Sequence, residues 1–153
     1  MFSKINNQQR FKLIASVYVM LIRDGKILLL RRFNTGYEDG NYGLVAGHLD
    51  GDEKATDGMM REASEEAGIV LKAENLKMVH VMHRRQDDER IDFFFMAEKW
   101  EGEIENKEPG KCDDLSWFSL DSLPENTIPY IKNAIVCMRS KTLYSEYWHP
   151  EAK

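Results

Sequence analysis

The chain has 153 residues, of which 42% are hydrophobic, and a formal net charge of −5. This length allows one sizeable hydrophobic core and hardly two, so we expect a single domain over residues 1–153. The acidic balance, without any block rich in Lys or Arg, argues against binding to polymeric nucleic acid, and no apolar run is long enough to span a bilayer.

Two features indicate the compartment. Residues 1–10 are polar, so we expect no signal peptide. Cys112 and Cys137 lack the spacing of a metal site or of a disulfide framework, which is typical of a reduced environment. We therefore expect a cytoplasmic protein.

The first predicted elements form an antiparallel hairpin. Residues 13–22 are apolar and β-branched enough for a buried strand, Asp24-Gly25 is a turn signal, and residues 26–32 are the partner strand. Residues 33–41 are polar and contain glycine, which predicts a loop. A short strand over residues 42–46 follows.

The next segment carries the chemistry. It consists of Gly47, five residues, Glu53, seven residues and then the run Arg61-Glu62-Ala63-Ser64-Glu65-Glu66-Ala67-Gly68-Ile69. Residues three and four apart share one face of a helix, so Glu62, Glu65 and Glu66 are expected to project from one side. Three carboxylates so close repel one another, and hard oxygen ligands of this kind suit Mg²⁺ or Mn²⁺.

The opposite side of this predicted helix is suited to packing. Ala55, Met59, Ala63 and Ala67 form a narrow apolar stripe that can lie against a sheet. Asp50 or Asp52 is expected to cap the start of the helix, and Gly68 to end it as a C′ glycine. Gly58 is unfavourable inside a helix, so we expect close packing around it.

The remaining elements complete a mixed α/β layer fold. Residues 77–84 and 91–98 are predicted strands around a charged turn at residues 86–89, and residues 101–110 are a predicted loop. Residues 115–120 are a further short strand, and an amphipathic helix is predicted over about 129–140. The tail after Tyr144 is expected to cover the surface. A sheet packed between helices is the natural arrangement of these elements.

The segment 47–69 fits the Nudix box, G-x5-E-x7-R-E-U-x-E-E-x-G-U, at every specified position, so the chain resembles the MutT-like Nudix hydrolases. His48 stands where the family often has a second glycine, and Ala46 where it often has a proline. Softer landmarks of the family lie at residues 28–32, 42–49, 117–118 and 123–124. The resemblance implies a Nudix-type α-β-α sandwich with a mixed central sheet.

The resemblance also implies an activity, the Mg²⁺-dependent attack of water on a diphosphate linkage in a nucleoside diphosphate derivative. Glu62 and Glu66 are then the principal metal ligands, with Glu65 in the shell of a second metal and the Gly47 carbonyl as a further candidate. In the family, residues at the positions of Glu53 and Arg61 pair and brace the loop against the helix, and we carry that role over.

A second informative segment covers residues 105–114. It resembles a loop with a Glu-Pro-x-Lys-Cys sequence near the active site of some Nudix nucleotide pyrophosphohydrolases. Glu108, Asp113 and Asp114 are candidates for an extra carboxylate, with a solvated acidic loop as the competing interpretation. The general base stays open among Glu62, Glu65 and Glu108.

Substrate contacts are predicted from residue type. One of Arg31, Arg32, Arg84 and Arg85 is expected to bind phosphate, since a planar guanidinium suits it. Tyr37, Tyr42 and residues 93–95 offer aromatic rings for a base, although most of the Phe run must be core. The candidate substrate-binding residues are Arg31, Arg32, Tyr42, His48, Arg84 and Lys111.

The leading substrate class is the nucleoside triphosphates, which would yield a monophosphate and pyrophosphate. Nucleotide sugars, ADP-ribose and dinucleoside polyphosphates are the alternatives among enzymes. A nucleotide-binding regulatory module without catalysis is the alternative from another class, which the intact carboxylates of the box disfavour. The expected partner is a small-molecule nucleotide, and the chain is expected to act as a monomer or homodimer.

Overall fold

A computed structural model describes residues 9–149. The predicted domain also includes residues 1–8 and 150–153, which lie outside the described residues. The expectation that there is no signal peptide rests on residues 1–10, most of which also lie outside the described residues. The strands are β1 (Ile14–Arg23), β2 (Lys26–Arg32), β3 (Tyr42–Gly43), β4 (Val45–His48), β5 (Lys77–Arg85), β6 (Glu89–Ala97), β7 (Cys112–Ser119) and β8 (Tyr144–Trp148). The helices are α1 (Ala55–Ala67) and α2 (Pro129–Arg139), with a 3-10 turn at Ala73–Asn75.

The strands form one mixed sheet. Its order is β3-β2-β1-β6-β5-β8, with β4 also paired to β1 and β7 also paired to β2. The pairs β1–β6 and β5–β8 are parallel, and the other pairs are antiparallel. The predicted mixed α/β fold is therefore confirmed.

The two helices cover opposite faces of this sheet. Val17 and Val19 of β1 pack with Met59 and other apolar residues of α1. Tyr18 and Met20, which alternate with them, pack on the side of α2. Because successive side chains of a strand point to opposite faces, β1 contributes to both cores at once.

The predicted strand over residues 42–46 is divided in two. β3 pairs with β2, and β4 pairs with β1, so the chain passes from one neighbour to the other at Leu44. This change of partner brings the start of the box onto the central strand β1, with Gly47 opposite Val17.

Two expectations at the C-terminal end need correction. β7 starts at Cys112 instead of residue 115, because its pairing with β2 continues to Arg32 after a register shift. The tail expected to cover the surface is β8, which pairs in parallel with β5. Backbone pairing to an otherwise open sheet edge explains why this segment forms a strand.

Of the two predicted ends of α1, the structure confirms the C-terminal one and corrects the N-terminal one. Gly68 has a left-handed backbone, with φ of 68°, as predicted. Lys54 occupies the N-cap position without a side-chain cap, so the expected capping by Asp50 or Asp52 is wrong. Within the described part of the chain, none of the helices is long and apolar enough to cross a membrane.

Candidate active site

The loop before α1 lies directly on the helix at Gly58. A β-carbon at this position would overlap Cδ2 of Leu49 and stand 3.0 Å from Oε1 of Glu53. The predicted close packing around Gly58 is therefore confirmed. Glycine here allows the loop and its carboxylate to approach the helix backbone.

Arg61 ties this loop to the helix. Its Nη2 donates to Oε1 of Glu53 at 2.8 Å and to the His48 carbonyl at 3.1 Å, while Nη1 donates to Oε1 of Glu62 at 2.7 Å. The Arg61 hydrogen bonds, with a further one from the Asp50 backbone N–H, lower the pKa of Glu53. The predicted pair of Glu53 and Arg61 is thus present.

Glu62 lies against the start of the box. A β-carbon on Gly47 would overlap the Glu62 carboxylate, so the glycine leaves the space that this carboxylate occupies. Burial raises the pKa of Glu62 in spite of the neighbouring Arg61 guanidinium. The carboxylate is therefore held in a partly desolvated position beside the Gly47 backbone.

Glu66 is the most deeply buried acid of the group. Its Oε2 accepts a hydrogen bond from the Ala46 backbone N–H at 3.1 Å. Burial raises its pKa to about 8, and the negative charges of Glu62 and Glu108 add to the effect. Three carboxylates from two segments of the chain thus lie within electrostatic reach of one another.

This donor set fits a hard divalent cation. A bound cation would offset both the repulsion among the carboxylates and the cost of burying Glu66, and oxygen ligands suit Mg²⁺ or Mn²⁺. In residues 9–149, no three acidic, His or Cys side chains already converge as a metal site. Glu62 is instead turned to Arg61, and Glu65 is 53% exposed with its carboxylate 3.4 Å from Nη1 of Arg61.

The loop over residues 105–112 is fastened to the end of α1. Its Lys107 N–H donates to the Glu66 carbonyl at 3.1 Å. Within the loop, the backbone N–H groups of Lys111 and Cys112 both donate to the Glu108 carbonyl, at 2.9 and 3.0 Å. These bonds bring Glu108 and Lys111 to the same cleft as the box acids.

The other two acidic candidates of this segment are engaged elsewhere. Asp113 forms an ion pair with Arg31 at 2.7 Å. Asp114 accepts hydrogen bonds from the hydroxyls of Tyr42 and Ser116. Of the three candidates for an extra carboxylate, Glu108 alone lines the cleft.

The cleft has a volume of about 620 Å³ and two chemically different ends. One end holds the acids, together with Gly47 and Lys111. The other end lies between the sheet and the start of α2, where the lining residues contact one another or share one core, and they include Tyr18, Tyr37, Leu44, Arg84, Gln86, Ile128, Tyr130 and Ile131. A ligand that fills the cleft would therefore meet carboxylates at one end and aromatic, apolar and guanidinium groups at the other.

The candidate substrate-binding residues divide into two sets. Arg32, His48, Arg84 and Lys111 line the cleft, whereas Arg31 and Tyr42 do not. Arg32 and Leu30 alternate with Arg31 along β2, which explains why one arginine faces the cleft and the next does not.

Tyr42 is buried and meets Phe118 edge to face. With its hydroxyl bonded to Asp114, its ring belongs to the core instead of offering a stacking surface. The Phe run is placed as expected, since Phe94 and Phe95 are buried in the two cores.

Arg84 was one of four candidate arginines for binding phosphate, but its charge is already balanced. Nε donates to Oδ2 of Asp92 at 2.6 Å, and both side chains are buried. A phosphate would have to compete with this carboxylate. Arg84 also lies over the Tyr130 ring, with Cζ 3.8 Å from the ring centroid.

His48 lies beside the guanidinium of Arg90 at the cleft. Nη1 of Arg90 lies 3.3 Å from Nε2 of His48, and a guanidinium can only donate. This contact favours the tautomer in which Nε2 is free to accept.

The sequence did not single out Ser16, Tyr18, Gln86 and Tyr130, all of which line the cleft. Ser16 and Tyr18 alternate within an apolar strand, which is a weak signal of a polar patch on one face. The Ser16 hydroxyl is buried and has no hydrogen-bond partner among residues 9–149. Gln86 and Tyr130 come from distant segments, and only the fold brings them together.

Comparison with known proteins agrees with the geometry. A family model of the NUDIX domain matches residues 12–136. An NAD-capped RNA hydrolase, NudC from Pseudomonas aeruginosa, is 30% identical over 113 residues, which cover 74% of this chain and 38% of that protein. The chain thus spans well under half the length of the curated relatives that it matches.

Solved structures share the fold. A MutT NUDIX hydrolase from Burkholderia pseudomallei has a TM-score of 0.76 and 27% identity, over 82% of this chain and 98% of that one. A MutT protein from Methanosarcina mazei Go1 has a TM-score of 0.74 and 23% identity, over 84% and 94% of the two chains. The second likeness, at its lower identity, concerns the fold alone.

Proposed function

Because this chain belongs to the Nudix hydrolase family, we propose that it hydrolyses a diphosphate linkage in a nucleoside diphosphate derivative with the help of Mg²⁺. Nucleoside triphosphates are the leading substrates, and the products are then a monophosphate and pyrophosphate. We propose further that residues 1–153 form one catalytic domain, acting on small-molecule nucleotides as a monomer or homodimer.

One observation carries this proposal. The carboxylates of Glu62, Glu66 and Glu108 interact electrostatically at one end of a cleft large enough for a nucleotide. Mg²⁺ bound there would offset the charge of the phosphates and lower the pKa of a water molecule. We assign Glu62 and Glu66 as its principal ligands, Glu65 to the shell of a second ion, and the Gly47 carbonyl and Glu108 as further ligands.

The residues around the acids have distinct tasks in this proposal. Arg61 and Glu53 hold the box loop and orient the Glu62 carboxylate. Lys111 and Arg32 supply positive charge for the phosphates, since both line the cleft and Arg32 is close enough to act on the pKa of Glu66. The base that takes a proton from the attacking water is Glu62, Glu65 or Glu108.

The test is turnover of a substrate panel by the purified protein with Mg²⁺. The panel contains nucleoside triphosphates, nucleotide sugars, ADP-ribose, dinucleoside polyphosphates and NAD, the last because the NudC relative acts on NAD-capped RNA. Glu66→Gln removes one proposed ligand while retaining the side-chain shape. Glu74→Gln, on the exposed 3-10 turn, is the matched control.

The outcomes separate the candidate functions. Mg²⁺-dependent turnover that disappears in Glu66→Gln and persists in Glu74→Gln supports the proposal, and the substrate consumed names the class. Nucleotide binding without turnover of any member would favour the regulatory module. Turnover that is equal in Glu66→Gln and the unaltered protein would contradict the metal site.

A further inference from the structure

We propose that Gln86 selects nucleotides with a keto base, namely guanine, uracil or thymine, over those with an amino base, adenine or cytosine. This inference rests on the proposed function, since it assigns the substrate preference of the same cleft. Its basis is a glutamine amide whose oxygen is occupied on both sides, which leaves only its N–H groups for a ligand.

Gln86 lines the cleft beside Tyr37 and Arg84, to which its amide oxygen is hydrogen-bonded. Apolar and aromatic side chains from two other segments line this end of the cleft, namely Leu44 and the group of Ile128, Tyr130 and Ile131 at the start of α2. Such a lining suits a planar ring with few polar groups on its faces and several at its edge. With phosphates at the acidic end, the base of a nucleotide would occupy this end.

The guanidinium of Arg84 provides a fixed support for Gln86. It is held by Asp92 at 2.6 Å, donates from Nη2 to the Tyr18 hydroxyl at 3.3 Å, and lies on the Tyr130 ring. Arg84 is only 3% exposed, so it has little freedom to move. Its Nη1 donates to Oε1 of Gln86 at 2.6 Å.

A second donor reaches the same oxygen from across the cleft. The hydroxyl of Tyr37, in the loop after β2, donates to Oε1 of Gln86 at 3.2 Å. Because Arg84 can only donate, a flipped amide would place two sets of N–H groups against each other. The orientation of the Gln86 amide is therefore fixed by its neighbours.

The amide nitrogen of Gln86 is then the group left for a ligand. Within residues 9–149, both side-chain hydrogen bonds of Gln86 are made at Oε1, so its Nε2 is left to donate to a ligand. A carbonyl oxygen on the edge of a keto base can accept from this nitrogen. An amino group in the same place would bring donor against donor, which leaves a polar group unpaired on each side.

Two carboxylates, Asp87 and Asp88, follow Gln86 in the sequence and are alternative candidates for contact with the base. Asp88 is bonded to the guanidinium of Arg90. Asp87 lines the rim of the cleft but is exposed. If the Asp87 carboxylate accepted a hydrogen bond from the amino group of a base, the protein would prefer adenine and cytosine. Base selection by Asp87 is therefore the alternative that the experiment must separate from selection by Gln86.

The experiment compares kcat/KM for two matched pairs, GTP with ATP and UTP with CTP. We expect both keto:amino ratios to exceed one in the unaltered protein. Gln86→Glu retains an acceptor for Arg84 and Tyr37 but replaces the free donor with an acceptor, so we expect both ratios to fall at least about tenfold. Asp87→Asn is the control on the same turn and should leave the ratios unchanged.

Other outcomes would overturn the inference. These are a preference for ATP and CTP in the unaltered protein, equal ratios in Gln86→Glu, or a change of ratio in Asp87→Asn alone. If Gln86→Glu does not fold, Gln86→Met removes both polar groups, and both ratios should approach one.

The experiment distinguishes failure of the proposed hydrolase activity from failure of the proposed base selection. If the unaltered protein hydrolyses no triphosphate, the same ratios are measured as binding affinities for GMP, AMP, UMP and CMP. Tighter binding of GMP and UMP, lost in Gln86→Glu, would retain the inference without the activity, and equal affinities would reject it.

Discussion

The absence of a side chain at Gly47 makes room for the carboxylate of Glu62. A β-carbon on Gly47 would overlap Cδ and both oxygens of Glu62. The glycine is opposite Val17 in the register of β4 with β1, so its backbone is fixed by the centre of the sheet. Any added atom at Gly47 must therefore move Glu62 and not the strand.

We expect Gly47→Ala to lower kcat/KM by about 100-fold, because displacing a reacting or ligating group by about 1 Å costs roughly that much. The overlapping atoms belong to the end of a flexible side chain, so thermal stability should change little. The measurement is steady-state kinetics combined with thermal unfolding. Gly110→Ala is the control, since a β-carbon there meets nothing within 4 Å.

The raised pKa of Glu66 predicts how stability depends on pH in the absence of metal. Its pKa rises from 4.5 to about 8 through burial. The folded protein then binds a proton that the unfolded chain has lost, so the contribution of Glu66 to stability is greatest below pH 4.5 and decreases up to about pH 8. We expect Glu66→Gln to remove this part of the pH dependence.

The contribution of Glu66 should be roughly 1 to 3 kcal/mol, since one pKa unit corresponds to about 1.4 kcal/mol and partial access to solvent reduces the full amount. Urea unfolding at pH 5 and pH 8 with a chelator measures it for both proteins. If the free energy of unfolding changed with pH in the same way in both proteins, the raised pKa of Glu66 would be refuted. Mg²⁺ added at pH 8 should stabilise the unaltered protein more than the variant.

The hydrogen bonds of Arg61 predict a requirement for a guanidinium. Arg61 contacts Glu53, Glu62 and the His48 carbonyl at the same time. The single ammonium introduced by Arg61→Lys cannot make these three contacts at once. We therefore expect at least a tenfold loss in kcat, and we expect half-maximal activity to require a higher Mg²⁺ concentration. Arg139→Lys, on the exposed end of α2, should retain full activity, and equal losses in both variants would contradict this role.

The buried pair of Arg84 and Asp92 predicts a large loss of stability from a single substitution. Both side chains are almost completely buried. Asp92→Ala leaves the guanidinium without its partner and should cost about 3 to 5 kcal/mol in the free energy of unfolding. Chemical denaturation measures this, with Asp121→Ala of the exposed pair with Arg139 as a control that should show no measurable change.

The base-selection role of Gln86 adds a check on this pair. If Arg84 positions Gln86, an Asp92→Asn protein that remains folded should also lose part of its preference between GTP and ATP. A protein that loses stability while keeping the full preference would show that Arg84 supports the fold only.

The box was predictable because its chemistry is local. The spacing of Glu62, Glu65 and Glu66 on one face follows from helix geometry, and the end of α1 follows from Gly68. The start of α1 was not predictable in the same way. Asp50 and Asp52 have the right chemistry for a cap, but Arg61 lies 3.3 Å from the Asp50 carboxylate, and the chain enters the helix at Lys54.

The end of the cleft that contains Arg84 was harder to predict, because it is formed by pairing between strands that are distant in the sequence. Arg84 looks like an exposed arginine before a charged turn, until β6 places Asp92 beside it. Similarly, residues 144–148 have no strong strand pattern by themselves, and the open edge of β5 decides their structure. Such contacts depend on strand order, which a single sequence does not specify.

The hairpin of β5 and β6 carries a consequence for engineering. Its tip, residues 86–88, reaches the cleft from one continuous segment, whereas the acids come from α1 and the loop over residues 105–112. The tip can therefore be exchanged as a short cassette without altering α1. If Gln86 selects the base as proposed, a library limited to this tip is expected to change which nucleotides the protein accepts, and descendants of one ancestral gene would diverge in the same way through very few substitutions.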